Sequence, residues 1–145
     1  MEKVVQFRPV EMIFVDAGHL VGLARDRGVP RAEIIAFAAL EEIIERLTAV
    51  EAAWRAGEFQ RLAKVARSVV GMSEQMGLQT LAVVAAKVAA VAETRDYAAL
   101  AALVARLVRV GEGSLDAFGD LAHLQRCLPT GLVAGGKAAR LMANW

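Results

Sequence analysis

Glycine and proline fall almost entirely between the regular segments of this chain, and that placement leaves little room for any fold but a helical one. No glycine or proline interrupts residues 31–56, 58–70 or 78–110. These stretches are dominated by alanine and leucine, the strongest helix formers, and their apolar residues recur at three- and four-residue steps rather than alternating. The chain therefore reads as helices joined by short turns, all-α, with no convincing strand.

Pro9 suits the start of a first helix over residues 10–26, closed by Gly28, the residue type that accepts a left-handed backbone at a helix end. Val4, Val5, Ile13, Phe14 and Val15 are β-branched or aromatic, so a short extended piece is the alternative there. Pro30 opens a second helix that runs to Ala56 before Gly57. Phe37, Leu40, Ile44, Leu47 and Trp54 form its buried face, with Glu41, Glu42, Glu45 and Arg46 on the wet side. A third helix, residues 58–75, presents Leu62, Val65, Val69, Met72 and Met76 as a seam. The fourth, residues 77–93, has so few polar residues that it is expected to be covered on nearly all sides, as the central helix or as a dimer contact. Asp96 caps a fifth helix over residues 97–111, with Leu100, Leu103, Val104 and Leu107 inward and Arg106 and Arg109 outward. Gly111, Glu112 and Gly113 form its closing turn, and Ser114 caps a sixth helix that ends near Cys127. Residues 130–145 read as a tail or docking arm.

Short turns force successive helices to lie antiparallel. The expected architecture is one domain over residues 1–145, with an antiparallel up-down four-helix bundle over residues 31–112 and an extra helix at each end. Residues 113–145 supply the C-terminal helix and tail.

At 145 residues and 57% hydrophobic content, the chain can bury a core without disulfides or metal, and intrinsic disorder is ruled out. Its single cysteine, Cys127, can form no intramolecular disulfide and fits a reducing, cytoplasmic compartment. The N-terminal residues lack an apolar core of signal-peptide length, so export is not expected. The most apolar stretch, residues 81–92, contains Lys87 and is too short to span a bilayer, which argues against a membrane role. A net charge of only +1 argues against nucleic acid as a partner.

Residues 67–81 carry the most information about function. Gly71 and Gly77 stand six apart, with Leu81 four beyond the second glycine. This frame resembles the signature of histidine-containing phosphotransfer (Hpt) domains. There a phosphorylatable histidine is followed by a lysine three residues on, a glycine four on, and a Gly-small-x-x-Leu start to the next helix. Residues 37–47 resemble the preceding helix of that family and residues 89–107 its closing pair, so the resemblance covers roughly residues 31–112.

The resemblance implies a four-helix bundle of two-component phosphorelay signalling, with a response-regulator receiver domain or a histidine kinase as partner. It also places Arg67 at the phosphoryl-accepting position and Val70 at the lysine position. Imidazole accepts a phosphoryl group through a neutral ring nitrogen, whereas a guanidinium stays protonated and offers no such lone pair. The expectation is a phosphotransfer-inactive docking module, not an independent enzyme, with no cofactor and no metal. Arg61, Lys64 and Arg67 share one side of the third helix and would face the partner together with Gly71, Arg67 pairing with the acidic pocket that receiver domains carry.

Without the resemblance, the same three cations are the solvated face of an amphipathic helix, and the glycines serve tight packing. An alternative of a different class is a helical homo-oligomer joined through the Ala-rich fourth helix, in line with a mean hydropathy of +0.43. Active phosphotransfer through His19 or His123 is a third reading, but neither has a Lys-Gly pair behind it, and each reads as an ordinary histidine. His123 and Cys127 are four apart, too few ligands for a structural zinc site. Residues 131–138 nearly spell a phosphate-binding loop, yet Ala138 replaces the magnesium-binding hydroxyl and no strand precedes the loop, so the match is attributed to chance.

Overall fold

A computed structural model describes residues 11–127 of the protein, with side chains as far as residue 120. Five helices follow one another: α1 (Gly18–Arg27), α2 (Val29–Ala56), α3 (Phe59–Gln75), α4 (Gln79–Thr94) and α5 (Tyr97–Cys127). Among the described residues there is no strand, only an isolated antiparallel bridge between Val15 and Leu78. The chain is all-α. The expected tail and the loop-like match at residues 131–138 lie outside the described residues.

The helix ends follow from local chemistry. Gly28, at φ 81°, closes α1 by donating its N–H to the Ala24 carbonyl, and its own carbonyl accepts from Ala32 to start α2. Gly57, at φ 70°, closes α2: its N–H bonds the Trp54 carbonyl while the N–H of Glu58 reaches back to Ala53. The same paired arrangement ends α3, where Gly77 at φ 74° donates to Glu74 and Leu78 donates to Ser73. Asp96 caps α5 by accepting the Ala99 N–H on its Oδ1 at 3.1 Å.

Packing proceeds in chain order. α2 lies against α3, α3 against α4 and α4 against α5, and α5 returns to α2, with α1 added on the outside of α2. Ile43 and Val50, Leu62 and Val69, Leu81, Val84 and Val88, and Leu100, Leu107 and Phe118 are fully buried where the four long helices meet.

The buried faces differ from the expected ones in a consistent way. On α2, Leu40 and Leu47 are buried as expected, but Phe37 and Ile44 are turned to the surface and Trp54 is half-buried. Their places are taken by Ala36, Ile43, Val50 and Ala53. On α3, Leu62, Val69 and Met76 are core, while Val65 and Met72 sit at its edge and Ala63, Ala66 and Ser73 lie deeper. Small residues sit inside because they let helix axes approach closely, so the bulkiest apolar residues are not the best markers of the inward face. The expectation that α4 is covered on nearly all sides is also corrected: Val83, Ala86, Lys87 and Ala90 are exposed along one face.

The expected sixth helix does not exist as a separate element. α5 continues through Gly111, Gly113 and Ser114 for 31 residues, so residues 113–127 extend the bundle helix. The inward seam explains the continuity, because Leu100, Val104, Leu107, Gly111, Ser114 and Phe118 repeat at steps of four and three, all buried. A Cβ on Gly111 would come within 2.6 Å of a Leu47 methyl on α2, and one on Gly113 would overlap Ile13. These glycines are sites of close approach rather than a stop. Ser114, expected as a cap, is instead wholly buried inside α5 with its hydroxyl unpaired.

The first helix also begins later than expected, at Gly18, and residues 11–16 form a non-helical strap with a single β-bridge at Val15, as the β-branched residues there allowed. The strap crosses the α3–α4 turn and reaches α5. Asp16 donates its N–H to the Gly77 carbonyl at 2.7 Å, and Phe14 donates to the Thr80 hydroxyl at 2.7 Å. Glu11 takes a two-pronged hydrogen bond from Arg106, through Nε at 2.8 Å and through Nη2, so Arg106 is not the free outward cation expected from the sequence.

The Arg106 hydrogen bond, with the positive charges of Arg106, Arg109 and Lys87, holds the Glu11 carboxyl below its ordinary value against the opposing effect of desolvation. A carboxylate whose folded pKa is depressed adds stability above its unfolded pKa and loses it as pH falls through the folded value. Wild type should accordingly exceed Glu11→Gln in stability by about 1 kcal/mol near pH 7. Denaturation midpoints taken from pH 7 to pH 3 should show that gap closing below the ordinary carboxylate range.

Candidate functional site

α3 carries its charges on one row. Arg61, Lys64, Arg67 and Gly71 follow one another at steps of three, three and four, and all are exposed, while the opposite side of the helix enters the core through Leu62, Ala66 and Val69. The sequence thus brings together every residue expected at the docking face.

The cations differ in their partners. Arg61 bonds Glu58 one turn back at 3.2 Å. Arg67 reaches across to α4 and donates to Glu93 Oε1 at 2.6 Å, with the two side chains 57% and 62% exposed. Lys64, between them, has no ion-pair partner among the described residues. Arg67 is therefore neutralised in the free protein by a residue 26 positions away, a pairing that no local pattern could signal.

Gly71 has a different character from Gly77. Gly77 needs its left-handed backbone, and a Cβ there would overlap the Asp16 carbonyl oxygen. At Gly71 nothing lies within 4 Å of where a Cβ would stand, and its backbone is ordinary helix. A glycine in an exposed helix interior costs about 0.5–1 kcal/mol relative to alanine, and nothing in the fold requires this one. Gly71→Ala is thus expected to raise stability by about 0.5–1 kcal/mol in urea unfolding. Equal or lower stability would mean that Gly71 has a structural role after all.

Of the histidines considered as phosphoryl acceptors, His19 is exposed at the start of α1, beside the Gly77 turn, with Nδ1 3.8 Å from Asp16 Oδ2. The His123 and Cys127 side chains lie outside the described residues. Among the described residues, no three His, Cys, Asp or Glu side chains converge closely enough to hold a metal ion, and no helix is long and apolar enough to cross a membrane.

Beside the row, the first half of α3, the end of α4 and the start of α5 line a groove of about 730 Å³. Lys64, Arg67, Glu93 and Arg95 line it together with Phe59 and Tyr97. Arg95 and Tyr97 were not singled out from the sequence. Arg95 lies in the α4–α5 turn and Tyr97 opens α5, and only the fold brings them beside α3.

Compared with protein-family models, with curated proteins and with solved structures, the chain matches none.

Proposed function

We propose that this protein is a phosphotransfer-inactive, Hpt-like docking module of two-component signalling. Helices α2–α5 would form the antiparallel up-down bundle, and the α3 row would face a response-regulator receiver domain or a histidine kinase. The observation that carries the reading is the combination of Arg67 and Gly71 on one exposed row. A cation stands where the phosphoryl-accepting histidine would be, and one turn away a glycine with open space around it lets a partner's surface approach the helix backbone. Arg67 offers a fork that matches carboxylates and cannot itself take a phosphoryl group. In this reading the protein binds an acidic receiver pocket without relaying phosphate, in the cytoplasm, where such signalling proteins operate.

Restoring the missing chemistry provides the test. Arg67→His with Val70→Lys should accept phosphate from a phosphorylated receiver domain of the source organism, detected as acid-labile label on the protein. Wild type should bind the same receiver without accepting label. If the double variant folds, as judged by its helical circular dichroism, and neither accepts phosphate nor binds any receiver, the reading is wrong.

A homo-oligomer joined through α4 is the second reading, favoured by the exposure of Val83 (54%) beside Ala86 and Ala90. Light scattering decides it: a dimer that Val83→Glu converts to monomer supports this reading, and a wild-type monomer removes it.

A further inference from the structure

The groove beside the docking row has features that the phosphorelay reading does not use. Of its three cations, only Arg67 is paired, with Glu93; neither Lys64 nor Arg95 has an ion-pair partner among the described residues. With Glu93 as the single carboxylate in the lining, the groove holds a surplus of positive charge in a protein whose net charge is only +1.

Arg95 is also the one non-glycine residue with positive φ among those described, at 59°. Glycine would occupy that left-handed position at lower cost, by about 1 kcal/mol. A cation near the end of α4 is favoured by the helix dipole, but any position in the last turn would supply that benefit without the strained backbone. The other wall is aromatic. Tyr97 packs against Phe59 with ring centroids 4.9 Å apart, Phe59 packs edge-on to Trp54 at 6.3 Å, and Tyr97 remains 52% exposed. The aromatic stack thus fixes one side of Tyr97 and leaves the rest of the ring open to the groove.

Small-molecule pockets enclose most of their ligand and are largely apolar. This groove lies at the surface, and its charged lining residues Lys64, Arg67, Glu93 and Arg95 are all exposed. Its shape and chemistry suit a length of chain lying across it better than an engulfed small molecule. We propose that the groove is a binding site for an acidic linear peptide segment, with carboxylates on Lys64 and Arg95 and an aromatic or large apolar side chain laid against Tyr97 and Phe59. Arg67 would join by exchanging Glu93 for a carboxylate of the peptide. This site shares Lys64 and Arg67 with the docking row but adds Arg95 and the Tyr97 ring from beyond it, so it can be occupied whether or not the phosphorelay reading holds.

The probe is a fluorescein-labelled nonapeptide of Asp and Glu around one central Phe, titrated with the intact protein and followed by anisotropy. Saturable binding that weakens with salt is expected. Arg95→Gly relieves the left-handed backbone, so this variant should be at least as stable as wild type, yet it should weaken binding at least tenfold. Tyr97→Ala should weaken binding severalfold, and so should replacing the peptide's Phe by Ala. Arg25→Glu, which reverses an exposed cation on α1, should leave it unchanged.

No saturable binding, or equal losses with Arg95→Gly and Arg25→Glu, would overturn the proposal, because the attraction would then be absent or merely non-specific. Full affinity without the peptide's Phe would overturn it as well. Gly71→Arg separates this site from the docking face: Gly71 does not line the groove, so that variant should keep the peptide while obstructing receiver docking.

Discussion

Gly77→Ala is expected to destabilise the protein by about 2–4 kcal/mol, the largest effect of any single-methyl substitution in the described fold. Two costs coincide at this residue. Its φ of 74° is left-handed, where an alanine is strained by about 1 kcal/mol, and the added methyl would overlap the backbone carbonyl oxygen of Asp16. A flexible side chain could swing aside, but a carbonyl can retreat only if the strap lifts. Lifting it would loosen the Asp16-to-Gly77 hydrogen bond, the Phe14 bond to Thr80 and the Val15–Leu78 bridge together.

Gly57→Ala is the matched control. Gly57 has nearly the same φ, 70°, but nothing lies within 4 Å of its missing Cβ, so only the backbone cost of about 1 kcal/mol should be seen. Urea unfolding of both variants measures the difference, and amide hydrogen exchange at Phe14 and Asp16 should accelerate in Gly77→Ala alone. Equal losses at the two glycines would mean that the strap is not held against this turn.

If the proposed docking on a receiver domain holds, Arg67→Glu is expected to reduce that binding by a factor of at least thirty while leaving the fold nearly intact. Reversal of one member of a desolvated charge pair costs about 2–5 kcal/mol of binding. The same change removes only an exposed ion pair from the free protein, worth at most about 1 kcal/mol, because both Arg67 and Glu93 are more than half in solvent. Glu93→Gln should act in the opposite direction. It releases Arg67 from the partner that must be displaced when a carboxylate arrives, and affinity should rise severalfold. Calorimetric titration of a receiver domain with the three proteins tests both signs at once. A loss with both variants would show that the Arg67–Glu93 pair is itself the recognised feature.

Several helix ends were legible because they depend on neighbours in sequence, although the start of α1 and the end of α5 were not. Gly28, Pro30, Gly57 and Asp96 act on backbone groups within a turn of themselves, and the structure uses each as its residue type requires. The inward faces were less legible. Ala36, Ala53, Ala63 and Ala66 are buried because neighbouring helices come close at those points, and closeness is a property of pairs of helices rather than of one. Gly111 and Gly113 were misread for the same reason: within one helix a glycine pair resembles a terminus, and only Leu47 and Ile13 show what the missing methyls make room for.

The candidate site divides along the same line. Its row on α3 is a matter of helical spacing and could be read directly, since Arg61, Lys64, Arg67 and Gly71 repeat at the period of the helix. The Glu93 partner and the groove built with Arg95 and Tyr97 depend on how α4 and α5 are set beside α3, and the spacing within α3 holds no trace of them.

The strap also sets an order of events in time. Helices α2–α5 meet their sequence neighbours across turns of a few residues, so most of their contacts can form with little loop closure. The bonds of the strap join residues 66 and 95 positions apart and need the α3–α4 turn and the middle of α5 already in place. The strap is therefore expected to be the last piece to dock on folding and the first to come away. Weakening its bonds should then speed unfolding and leave the folding rate nearly unchanged.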